Sequence, residues 1–259
     1  MFRRITCVRL AFSSIRHVPI AHGKPRLQSI RCCSSNKLDL LNTLPEYKHA
    51  GEHALKGQFL QAIPLFQRVI HVLESSVGST SELALHTVIE QVKVLIKQGD
   101  YDKAEQLLQQ TQTRLLDKTN KSDVDVTNWE VILLQWNAFI SFLRQEHNSS
   151  ETASHLVDRL TDAEPSDLSL YAPSFSLKGL THLHQGELED AEDELQKAAR
   201  WSQNLEQKMI TLNNLGALTW AKLGSHFHPT LPHSNVNLTP LFSTATLTCL
   251  ITFVCLHQV

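Results

Sequence analysis

The stretch Phe175-Ser-Leu-Lys-Gly179-Leu-Thr-His-Leu-His-Gln-Gly186-Glu-Leu188-Glu-Asp-Ala191-Glu-Asp-Glu-Leu195-Gln-Lys-Ala198 decides the fold. It reads as two amphipathic helices joined at a glycine, the first opened by Phe175. Gly179 and Ala191 are small where the two antiparallel helices would cross closely, and Gly186 permits the tight turn between them. Leu188 and Leu195 fill the gap to the neighbouring unit. One such pair cannot bury its apolar stripe alone, so several must stack.

The second half of the pattern recurs upstream. Gly57, Phe59, Ala62, Phe66 and Val69 repeat its spacing, with Ala50 at the small position of the first helix. Gly99, Tyr101, Ala104 and Leu108 repeat it again behind a helix over 83–96. A degenerate unit spans 129–165, where Ala153, Val157, Leu160 and Pro165 fit the second helix, but its turn over 147–150 holds no glycine. A further first helix covers 209–224, ends at Gly224 and has no partner helix after it. The body over 44–224 is therefore expected to be all-α, with about four helix pairs and a half repeat. No strand pattern competes.

These spacings resemble the tetratricopeptide repeat, with Gly57, Ala62, Phe66, Gly99, Tyr101, Ala104, Ala153, Gly179, Gly186, Ala191 and Ala198 at signature positions. The resemblance covers the body alone. The steps between equivalent alanines, from Ala62 to Ala104, Ala153 and Ala191, are longer than the usual 34 or so residues. The first is similar to the long repeats of the kinesin light chain group. Combined with the N-terminal leader described next, the array is loosely similar to mitochondrial tetratricopeptide proteins that assist respiratory-complex assembly. The resemblance implies an α-solenoid of antiparallel helix pairs whose first helices line a groove for a protein or peptide partner. The corresponding groove positions would include Glu52, His53, Lys93, Lys178, His182 and Asn213. Of the residues a chaperone-tail clamp requires, only Asn214 is apt, so chaperone-tail binding is not expected.

Residues 1–33 contain seven of the 24 basic residues and none of the 26 acids. Phe2, Ile5, Val8 and Phe12 share a helical side there, and no continuous apolar run of secretory type is present. This is the pattern of a mitochondrial transit peptide, and Arg31-Cys32-Cys33-Ser34 resembles a matrix-peptidase site that would leave Ser34 first. The expected location is the matrix or the inner-membrane surface; the rival reading is a cytosolic adaptor with a disordered basic arm. The remaining chain carries 17 basic and 26 acidic residues, a formal charge of -9. Such a body repels nucleic acid. All five cysteines lie outside 34–248, so no disulfide framework supports the repeats.

Residues 225–259 lack Asp, Glu, Lys and Arg and break the helical period at His226-Phe-His-Pro229. They read as an irregular tail, a different sequence joined on mid-repeat, as in a variant of a longer array. The uncharged run 241–256 would span about 24 Å as a helix, short of the roughly 30 Å hydrocarbon core, so membrane association through it is the less favoured reading.

The sequence offers no glycine-rich phosphate loop, nucleophile elbow or cysteine-based catalytic set, so no catalytic residue and no cofactor are expected. His182 and His184 point in different directions on a helix and lack a completing ligand set, so no metal site is expected. The acids from Glu187 to Glu194 read as a solvated helix face. A binding protein is the favoured class, and a regulatory subunit of an enzyme is the alternative.

Overall fold

The computed structural model describes residues 35–117 and 125–227. Ten α-helices and one 3-10 turn occupy them, with no strand among the described residues. They are α1 (Ser35–Asn42), α2 (Pro45–Leu55), α3 (Phe59–Ser76), α4 (Glu82–Gln98) and α5 (Tyr101–Asp117). There follow α6 (Val126–Leu143), α7 (Ser149–Ala163), a 3-10 turn (Leu168–Leu170), α8 (Tyr171–Gln185), α9 (Leu188–Trp201) and α10 (Leu205–Phe227). The transit-peptide expectation for 1–33 and nearly all of the tail over 225–259 lie outside the described residues.

From α2 onward each helix packs against its neighbours in sequence, and α8 also touches α6 and α10. The reason is visible at the turns. Gly57, Gly99 and Gly186 have φ of 73°, 83° and 83°, the left-handed region where a side chain is strained. In the unit without a turn glycine, Gln145 adopts φ 54° two residues after α6 ends. A left-handed non-glycine residue costs roughly 1 kcal/mol. Gln145→Gly is therefore expected to raise the denaturation midpoint modestly, by up to about 1 kcal/mol of stability; a loss on urea titration would contradict this account of the turn.

The small signature residues do what their size suggests. Ala62, Ala104, Ala153, Ala191 and Ala198 are all fully buried. A Cβ on Gly179 would lie 2.8 Å from Leu195 Cγ and 3.2 Å from the Ala191 carbonyl oxygen, so α8 and α9 cross where only glycine fits. The main core runs from Ile70 on α3 to Ala198 on α9 around Trp129, Trp136, Phe139 and Phe142. A smaller cluster of Leu183, Ala191, Leu195 and Leu218 joins α8 and α9 to α10.

Three local expectations need correction. Phe175 does not open the first helix of its pair: α8 begins at Tyr171. The Asp167 side chain accepts from the Ser169 N–H to shape the 3-10 turn, which leads straight into the helix, and Pro173 sits in the first turn, where its missing N–H costs little. The last helix starts at Leu205 and passes through Gly224 to Phe227. Glycine weakens a helix interior by about 1 kcal/mol relative to alanine without stopping it. Finally, α1 lies before the expected start of the body, its Leu41 fully buried beside Val69, Leu73 and Ala84.

One polar clasp ties neighbouring pairs together. Arg144, just after α6, donates to Asp102 at 2.5 Å, Glu105 at 2.8 Å and Glu146 at 3.2 Å, linking the α6–α7 turn to the start of α5. The Glu146 carboxyl is held below its ordinary range by the Ser141 hydroxyl, which donates to it at 2.6 Å, and then by Arg144. A depressed folded pKa stabilises above the unfolded value of about 4.3, and that contribution fades as pH falls below it. Glu146→Gln should accordingly flatten the acid limb of the stability curve between about pH 5 and 3. Urea midpoints measured across that window would show an unchanged slope if the clasp were inert.

Candidate protein-binding groove

Successive residues three or four apart share a helix face. On α4 this places His86, Ile89, Glu90 and Lys93 together, and on α6 it places Trp129, Ile132 and Trp136 together. These two faces enclose a cavity of about 410 Å³ with Asn42 at the end of α1, Tyr47 on α2, Gln135 on α6, and Asp167, Ser169 and Leu170 before α8. The walls thus come mainly from the first helix of each pair.

The aromatic wall is held rigidly. His86 stands edge-on to Trp129 with ring centroids 4.8 Å apart, and Trp136 stands edge-on to Phe139 at 5.8 Å. Tyr47 likewise meets Phe66 edge-on at 5.7 Å. The Gln135 amide donates to the Leu170 carbonyl and to Ser174 Oγ, each at 2.8 Å, which fixes the 3-10 turn against α6.

The polar groups, among them Asn42, His86, Glu90, Lys93, Gln135 and Asp167, make up about half of the lining. Lys93 is only 4% exposed, and its ammonium meets Glu90 Oε1 at 2.5 Å. Burial pushes the Lys93 pKa down, while the Glu90 charge pulls it back. Burial also pushes the Tyr47 phenol up, with the charge of Glu90 adding to the effect. Aromatic and polar groups share the lining about equally, which suits a peptide segment that offers hydrogen-bonding groups as well as apolar side chains.

Of the groove residues expected from sequence, only Lys93 lines this cavity. Glu52 is exposed, and His53 Nδ1 lies 2.6 Å from Gln58 Oε1. Lys178 pairs with the buried Glu194 at 3.3 Å. His182 Nδ1 lies 2.6 Å from Glu187 Oε2. Asn213 is exposed, and Asn214 is fully buried on the inward side of α10. His86, Trp129 and Trp136 also line the cavity, at first-helix positions other than those the repeat resemblance implies. The i, i+7 spacing of the two tryptophans and the i, i+7 spacing of His86 and Lys93 were the available signals.

His182, Glu187 and Asp190 bring three possible ligand atoms within 4.8 Å of one another. The His182–Glu187 contact repeats the His53–Gln58 contact across the equivalent turn, where the second group is an amide. A clasp across the glycine turn accounts for both. No family model matches the chain, and no curated protein sequence does.

Proposed function

We propose that this chain is a non-catalytic protein-binding scaffold of tetratricopeptide type, an α-solenoid imported into mitochondria, that holds a protein or peptide partner during assembly or maintenance of a larger complex. The observation that carries the binding role is the cavity between α4 and α6, whose walls come mainly from first-helix faces and set Trp129 and Ile132 beside His86, Glu90 and Lys93, as a groove for a partner segment requires. The acidic body argues against a nucleic-acid partner. The basic, acid-free segment 1–33, with Arg31 three positions before the cut, supports cleavage that leaves Ser34 first.

Two experiments test the two halves of this reading. Mass spectrometry of the mature N-terminus after cell fractionation is expected to find a start near Ser34 in mitochondria; an intact Met1 in the cytosol would remove the import claim. For binding, His86→Glu adds an acid beside Trp129 and Glu90 at a half-buried position. It should weaken partner recovery by tenfold or more, about 1.4 kcal/mol, with helicity unchanged. Equal recovery by wild type and variant from mitochondrial extract would place the binding surface elsewhere.

A further inference from the structure

The last helix presents two unlike faces. Inward, Thr211, Asn214 and Leu218 are buried against the preceding helices. Outward, Leu205, Met209, Leu212, Trp220 and Leu223 are 75%, 62%, 65%, 73% and 49% exposed. With Gly216 they fall at steps of three and four residues, a single stripe along the side of α10 opposite the core. Their exposed area is on the order of 700 Å², above the few hundred Å² that monomeric proteins usually leave as one apolar patch.

We infer that this stripe pairs with the same stripe of a second copy of the chain, the two α10 helices running antiparallel about a two-fold axis near Asn214. The order of residues points to that occupant. Reversed about this centre, Leu205 meets Leu223 of the other copy, Met209 meets Trp220, and Leu212 meets Gly216. Four of the five large side chains thereby gain an apolar side-chain partner from the stripe itself and Leu212 packs over Gly216, as an isologous interface demands. Gly216 sits where Leu212 of the other copy must approach, and a Cβ there would meet nothing within 4 Å in the single chain, so the space is open to receive it. Methionine against tryptophan is a favourable sulfur–aromatic pairing. At about 700 Å² per copy the stripe approaches the roughly 800 Å² per partner of a standard interface. The inference does not depend on the groove reading.

Sedimentation velocity of the full chain over a range of concentrations tests it, beside Leu212→Glu and Gly216→Leu. Both substitutions fall on exposed positions, so circular dichroism should be unchanged. The expected result is a wild-type dimer whose dissociation constant rises tenfold or more in each variant. A monomer at every concentration would overturn the inference, including the case in which residues 228–259 of the same chain cover the stripe. A dimer or larger species indifferent to both substitutions would overturn it equally.

Discussion

Trp136→Ala is expected to destabilise the protein by about 3–5 kcal/mol. Trp136 is only 1% exposed, stands at the middle of the main core and forms one wall of the groove. Truncation removes its transfer free energy and leaves a void that the edge-on Phe139 fills poorly. The loss is a large share of the roughly 5–15 kcal/mol that holds a typical domain together. Urea unfolding followed by far-ultraviolet circular dichroism measures it. Trp136→Phe keeps most of the volume and should recover a large part of the loss, whereas equal midpoints for wild type and Trp136→Ala would mean the wall is not packed as described.

Gly179→Val should cost about 3 kcal/mol for a different reason. The new Cβ would press on Leu195 Cγ at 2.8 Å, and the Ala191 carbonyl at 3.2 Å cannot rotate away, so α8 and α9 must separate. Moving them apart loosens the cluster of Leu183, Ala191, Leu195 and Leu218 that carries α10. Gly51 on α2 provides the contrast, because nothing lies within 4 Å of a Cβ there. Gly51→Ala should gain up to about 1 kcal/mol from helix propensity. Similar thermal shifts for the two glycine substitutions would contradict the close crossing.

The helical body was legible because size and period leave local traces. Gly179 and Ala191 mark a crossing and Gly57, Gly99 and Gly186 mark turns by being residues that few other positions require. The degenerate turn was harder: its left-handed residue is Gln145, and a strained glutamine leaves no sign in the sequence. The helix expected to stop at Gly224 continues through it, because a single glycine is a weak stop signal. The groove was legible least. Its position depends on how α4 and α6 face each other, and the residues expected there by repeat position, such as Lys178 and His182, meet carboxylates of their own in Glu194 and Glu187. Lys93 was expected there as a first-helix position of the resembled repeat, and it does line the cavity.

The central claim is that a protein partner is held against the first-helix faces of α4 and α6. Site-specific photo-crosslinking in cells addresses it, with the photoreactive side chain placed at His86 in the groove or at the exposed Gln110 on α5, a second helix. The account predicts a discrete crosslinked adduct from position 86, lost when Glu replaces Ile132 on the opposite wall, and none from position 110. An adduct from position 110 alone, or adducts of the same mass and yield from both, would contradict it.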